Sequence, residues 1–598
     1  MGKCNEKKNS IIIAIIISSA IVLLISILCY FSAKKENIKK IEPYHFEENI
    51  KKIEPYIHLS DGVKIGGVPI MSKFKRSYSL SSMNVGFSTG GAKDINNFRE
   101  NIKNGYFPIS TDITYNGLFY DYYFDTGKKT ESEHLFSPSY SCALSKDPIS
   151  SRNEYYLTVG LNSNIKESDF QRKKLNLIVV LDISGSMDEM FSSYYYDRFS
   201  NDSKKDTIGV DDDKKTKMEI ANESINILID RLKADDRFGL VLFDFEAKVA
   251  KQVELISEMD INSTKKYISE IKAYGGTNIE AGYTMATKLF EKYQNSNKSE
   301  YENRIILITD AMPNTGMISD EGLLLYIKDN ADKGIFTTFI GVGVDFNTEL
   351  IEGISDAKGA NYYSVHNSKE FKERMGEQFE YMVTPLVFDL NLNLQSDDYN
   401  IKMVYGSDSL NGNKGNLMKI NTLFPSKSSE KGEVKGGIVL VKLSKKTEKR
   451  NGKIKLEVTY KDRNGKKYKN TQTIGFDENK TEEFYDNSGI RKAIVLTRYV
   501  NLLKNWILYE RSGNNTFIIG QKKGIVDIIY TENEITNILG EHERMSVELK
   551  ISEEYKELLR NMKEYILKEN KEIMDNNLNK EIELLDVLIN YKKKIINE

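Results

Sequence analysis

Asp182, Ser184 and Ser186 stand at alternate positions directly after five apolar residues, Leu177 to Leu181, in the stretch LIVVLDISGSMDEM. Extended backbone points alternate side chains the same way, so one carboxylate and two hydroxyls share a side where an apolar strand ends. Two other stretches end alike. YGGTNIEAG puts Thr277 behind the turn-forming pair Gly275-Gly276 and ahead of a helix, and RIILITDAMPNTG puts Asp310 immediately after another apolar run. Five oxygen-bearing side chains with only two carboxylates among them suit a hard cation, because magnesium takes about six oxygens at roughly 2.1 Å and keeps several waters. Hydroxyl ligands leave such an ion short of negative charge, so an open position would draw an anionic oxygen from outside. The competing reading is that these groups only end strands and cap helices.

Other chemistries find less support. Asp182 at a strand end could act as the nucleophile of a metal-dependent phosphohydrolase. That reaction wants a second carboxylate where Ser184 stands, and a lysine or arginine beside the phosphate. Gly341-Val342-Gly343 lacks the third glycine of a dinucleotide loop, and no P-loop occurs. His45, His58, His134, His366 and His542 have no HExxH or CxxC companion, which argues against zinc. Cys4, Cys29 and Cys142 are too few and too scattered for a disulfide framework. With 85 Lys and Arg against 87 Asp and Glu, net −2, the chain has no electrostatic case for nucleic acid. A binding protein is expected, not an enzyme.

The five residues need a scaffold that brings strand ends together. Between residues 171 and 384 strand and helix patterns alternate, the mark of an α/β domain with a mostly parallel, doubly wound sheet flanked by helices. Strands are expected over 175–181, 238–243, 304–309 and 336–342. A shorter one, 247–253, follows its neighbour too closely for a helical crossover and should pair antiparallel at the edge. Helices are expected over 218–233, 264–273, 279–293, 320–333 and 368–382. In such folds ligands bind outside the carboxyl ends of the strands, which is where Asp182 falls.

Taken together, D-I-S-G-S at 182–186, G-G-T-N at 275–278 and T-D-A at 309–311 resemble the metal-ion-dependent adhesion site of von Willebrand factor type A domains. The resemblance covers residues 175–383, about a third of the chain. It implies that Ser184 and Ser186 contact the metal directly and that Thr277 does so when ligand is bound. Asp182 and Asp310 would act mostly through waters, and a partner's aspartate or glutamate would complete the octahedron. The implied ion is magnesium, with manganese or calcium as substitutes. The flanking regions look more weakly like bacterial membrane-anchored members of this family, and the Lys-, Asn-, Ile- and Tyr-rich composition suits an AT-rich bacterial genome. The implied function is a cell-surface, metal-dependent adhesion or assembly protein. The alternatives are the phosphohydrolase and a scaffold subunit of a membrane complex.

A long insertion, 187–217, leaves from the predicted metal face. Its Tyr194, Tyr195 and Tyr196 offer rigid amphipathic contact area of the sort binding loops use. The plainer reading is a disordered insertion. Asp211-Asp212-Asp213 lacks the EF-hand pattern and reads as a solvated acidic run.

Outside the α/β domain, residues 9–33 carry no charge. From Ile11 the stretch IIIAIIISSAIVLLISILCYF would span roughly 30 Å as a helix, the thickness of a bilayer's apolar core. An anchor at 9–33, a cytoplasmic tail at 1–8 and a stalk at 34–70 are therefore expected, with the bulk of the chain outside the cell. The stalk holds the repeated NIKKIEPY at 37–44 and 49–56. A β-rich region (71–170) should precede the α/β domain, with a helix over 94–105 and strands over 115–125 and 153–162. A β-domain (385–480) should follow, with a strand over 436–443 and a hairpin over 453–474 turning at Asn464-Gly465. The C-terminal region (481–598) reads as helical, with an amphipathic helix over 490–507 and a charged helical cap from 551 onward.

Overall fold

The computed structural model describes residues 84–93, 95–127, 134–190, 215–293, 300–310, 320–343, 357–365, 368–406, 417–446, 452–476, 482–511 and 546–592. All lie in the unit Tyr78–Glu598. The expected tail, anchor and stalk, and Tyr194, Tyr195 and Tyr196, fall outside the described residues. Among the described residues no helix is long and apolar enough to cross a membrane.

An uninterrupted apolar strand is stable only where both faces of its sheet are covered. Lys174–Asp182 has that place. It lies between Tyr301–Thr309 and Arg237–Phe243, parallel to both. Leu177, Val179 and Leu181 point into one core with Ile220, Ile225 and Leu228 of the helix Lys217–Ile229. Ile178 and Val180 point into the opposite core with Ile279 and Tyr283 of the helix Ile279–Leu289. Alternate residues of one strand thus serve two helical layers, as a doubly wound sheet requires. Ala247–Leu255 closes one edge antiparallel. Beyond Tyr301–Thr309 and Ile335–Val342 the sheet gains two strands not legible in sequence, Asn361–Val365 and Gly91–Lys93. The long 368–382 helix is broken into Ser368–Met375 and Phe379–Met382 around Gly376.

The β-rich regions on either side of this domain pair with each other. One six-stranded sheet joins Asn84–Thr89 and Asn162–Lys166 to Leu417–Ser426, Val387–Gln395, Lys453–Asp462 and Lys467–Gly475. A five-stranded sheet joins Ser139–Lys146 and Asn153–Gly160 to Ile438–Lys445, Tyr399–Tyr405 and Phe484–Tyr485. Leu157, Val159, Leu392, Val441 and Leu456 fill the core they share. The α/β domain leaves and re-enters this pair of sheets at Asn162–Lys166 and Val387–Gln395.

Two expectations need correction. Residues 115–125 are not a strand: Tyr115–Tyr120 is a helix, capped by the Thr114 hydroxyl on the Gly117 amide, and only Tyr123–Phe124 is extended. Aromatic composition suggested a strand, but Leu118 and Phe119 find their burial as helix residues. The helix Ser488–Arg511 is buried on every face, not on one stripe. Its polar face is covered by partners: Arg498 donates to Glu154 Oε2 (2.8 Å) and the Tyr565 hydroxyl (2.7 Å), and Lys492 donates to Asp575 Oδ2 (2.7 Å). The helices Glu553–Ile573 and Asn579–Asn590 share the core around it.

Candidate metal centre

Asp182 is the last residue of the central strand. Its Oδ1 accepts from the Ser184 amide at 2.8 Å, a side-chain turn that folds the chain back on itself. Its Oδ2 accepts from the Thr309 hydroxyl at 2.6 Å, tying the ends of two adjacent strands. The turn leads into the short 3-10 helix Gly185–Asp188. There the Ser184 and Ser186 hydroxyl oxygens are 3.1 Å apart, and Ser186 donates to Asp310 Oδ1 at 2.9 Å. Four of the five predicted residues are thereby linked in one hydrogen-bonded cluster, all of them buried.

Thr277 arrives on a loop pinned to the same turn. The Tyr274 amide donates to the Ile183 carbonyl (2.6 Å), and the Gly185 amide donates to the Gly275 carbonyl (3.1 Å). Gly275 has φ +87°, which a side chain would strain, and a Cβ on Gly276 would collide with the Phe245 ring. Asn278 then caps the helix Ile279–Leu289 by accepting from the Ala281 amide (3.1 Å). Both glycines are needed to lay Thr277 against the sheet edge.

Two residues of the cluster were not among the five expected site residues. Thr309, which opens the T-D-A motif, is one. The other is Lys217, whose Nζ donates to Asp310 Oδ2 at 3.1 Å, both side chains fully buried. A cue existed: a lysine at the first position of a helix opposes the helix dipole and so wants another reason to be there. Its own amide donates to the Glu189 carbonyl (2.9 Å), so the helix start is also fastened to the loop after Ser186.

No group of three or more His, Cys, Asp or Glu is arranged for a metal among the described residues. A cation here would depend on the hydroxyls. The donor set fits one: oxygen only, two buried carboxylates, two adjacent hydroxyls, and no soft ligand. Burial, and next the Asp310 carboxylate, push the Asp182 carboxyl up to about 7, against the bonds from Thr309 and Ser184. The folded carboxyl therefore binds a proton that the unfolded chain gives up near pH 4. Without a cation, stability should fall as pH rises from about 4 to 7. A divalent ion favours the carboxylate and must displace that proton below pH 7. Magnesium affinity should then weaken by up to about tenfold per pH unit below 7. Calorimetric titrations at pH 5.5, 6.5 and 7.5 check this; equal affinities would show that Asp182 is ionised throughout.

The von Willebrand factor type A domain family model matches residues 177–312. Inter-alpha-trypsin inhibitor heavy chain H2 of Mesocricetus auratus is 22% identical over 181 residues, which cover 30% of this chain and 19% of that protein. Inter alpha-trypsin inhibitor, heavy chain 4 of Mus musculus is 24% identical over 185 residues, covering 30% and 20%. The chain spans about a fifth of the length of these curated relatives. Among solved structures, a von Willebrand factor type A protein from Catenulispora acidiphila aligns at 12% identity and a TM-score of 0.39, covering 72% of this chain and 98% of its own.

Proposed function

Starting from a von Willebrand factor type A domain at the centre of the chain, we propose that the protein is a cell-surface binding protein that holds a partner protein through a divalent cation. The observation that carries this reading is the cluster Asp182–Ser184–Ser186–Asp310 at the carboxyl edge of the sheet, hydrogen-bonded and presenting hydroxyls where the strands end. Ser184 and Ser186 would hold the ion, magnesium first and manganese or calcium in its place. Asp182 and Asp310 would orient its waters, and Thr277 would join when the partner arrives. Bound there, the ion would supply a Lewis-acidic position for a partner's aspartate or glutamate.

The surroundings support a docking face. Phe245 is 58% exposed, Tyr274 53% and Met190 38%. Isolated exposed apolar residues need no explanation, but these three all stand on or beside the loops that build the cluster. Each would bury apolar area against a partner held at the ion. Tyr194, Tyr195 and Tyr196 of the insertion are proposed to add to the same face.

A phosphohydrolase is less well supported. Lys217 is the kind of cation that chemistry wants, but it is buried on Asp310, and no second carboxylate stands where Ser184 does. Both oxygens of Asp182 already accept hydrogen bonds, from Ser184 and Thr309, which leaves it poorly placed for attack.

The membrane part of the proposal rests on the uncharged run at 9–33, with residues 1–8 inside and the rest outside. One experiment tests location and cation dependence together. Intact cells carrying the chain are crosslinked in magnesium and in chelator, with and without protease added outside. The expected result is a set of protein neighbours recovered only in magnesium and lost after external protease. If those neighbours belong to one membrane complex, the site serves assembly rather than adhesion. Neighbours indifferent to chelator would contradict cation-mediated binding, and neighbours that survive the protease would contradict the topology.

A further inference from the structure

We propose that Lys217 is a resident counter-ion of the metal centre. It occupies one oxygen of Asp310, holds that carboxylate back from the cation, and so leaves the cation with positive charge for a partner's carboxylate to meet. This rests on the cation-binding reading above and names the residue that makes the site need a partner.

The geometry is specific. Both oxygens of Asp310 are engaged, Oδ1 by the Ser186 hydroxyl at 2.9 Å and Oδ2 by the Lys217 ammonium at 3.1 Å. Lys217 and Asp310 are fully buried, so the lysine serves neither solubility nor a surface ion pair. It is held at both ends, by its own amide on Glu189 and its ammonium on Asp310. The helix it opens already has a capping box, with the Thr216 hydroxyl on the Glu219 amide and the Glu219 carboxylate on the Thr216 amide. Lysine adds nothing to that start and opposes the dipole.

Charge balance says what it does. Asp182 and Asp310 ionised, with Lys217, leave one negative charge in excess. A divalent ion turns this into one positive charge in excess, and one carboxylate from outside brings the site to neutrality. Were Lys217 neutral, the ion alone would balance both aspartates. A partner's carboxylate would then enter a site with no charge left to satisfy. A buried ammonium a few Å from the ion also weakens the ion's binding, and in partly buried surroundings that repulsion exceeds a tenfold effect on affinity.

The test is magnesium titration calorimetry on the full chain and on Lys217→Met, Lys217→Gln and Lys217→Arg, with melting curves in chelator beside it. Lys217→Gln keeps a donor for Asp310 without the charge, so it remains informative where Lys217→Met fails to fold. The neutral variants should bind magnesium at least about tenfold more tightly than wild type, and Lys217→Arg should stay within a fewfold of it. In chelator the Met variant should melt lower, and magnesium should restore more of its melting temperature than it adds to wild type. Folded neutral variants with wild-type affinity would overturn the proposal, because a merely structural lysine changes stability alone. If wild type binds no cation but Lys217→Gln does, the lysine has the assigned role and the function proposed above falls. If neither binds, both fall.

Discussion

Replacing Asp236 by alanine should cost the α/β domain about 3–5 kcal/mol, because it strips a buried arginine of its main partner. Asp236 Oδ1 accepts from Arg172 Nη1 at 2.8 Å and Oδ2 faces Nη2, with both side chains buried. The same carboxylate accepts from the amides of Leu175 (2.8 Å) and Lys233 (2.7 Å), so it also fixes where the central strand begins. Arg172 keeps a contact to the more exposed Glu380, which places the loss toward the lower end of that range. This pair sits at the amino edge of the sheet, opposite the candidate metal centre. Urea titration should therefore show a lower midpoint while the response to magnesium survives. A loss under about 1 kcal/mol would mean the pair behaves like one at the surface.

Asp182→Ala should instead remove the magnesium response itself. A ligand that binds only the folded domain stabilises it by about 2.7 kcal/mol at a hundredfold excess over its dissociation constant. Wild type should melt higher in magnesium and lose the gain in chelator. The alanine variant should show no difference between the two, because it lacks the carboxylate that balances the ion, braces the Ser184 turn and reaches Thr309. Ser184→Ala and Ser186→Ala should each keep part of the response. Thr277→Ala should keep most of it yet lose neighbours in the crosslinking experiment. If these groups served only as caps and strand ends, each would cost about 1 kcal/mol, the same with and without magnesium.

Much of the centre was legible because its signal is local. Asp182, Ser184, Ser186 and Asp310 each end or follow an apolar run, and strand period places them on one edge. Gly275 and Gly276 mark a loop that no side chain would permit at those positions. Lys217 was missed although it adjoins the predicted helix 218–233, because its role depends on a carboxylate 93 residues away. Thr309 lies beside Asp182 only through the parallel pairing of two strands. The same limit hid the larger architecture. Asn84–Thr89 pairs with Leu417–Ser426 across the whole α/β domain, and no local pattern encodes that register. Around Ile490 the apolar period showed one face of a helix. The opposite face carries Arg498 and Lys492, residues that read as solvent-facing until Glu154 and Asp575, which cover them, are in view.

The central claim is that an ion sits among these oxygens, and manganese makes it visible. A crystal of the chain grown with manganese should give an anomalous difference peak about 2.1 Å from the Ser184 and Ser186 hydroxyl oxygens, close to the distance magnesium keeps to oxygen ligands. Asp182 and Asp310 should stand farther off, joined to the peak through waters, with the Lys217 ammonium still on Asp310. A peak held by other residues, or none at this edge of the sheet at saturating manganese, would contradict the account.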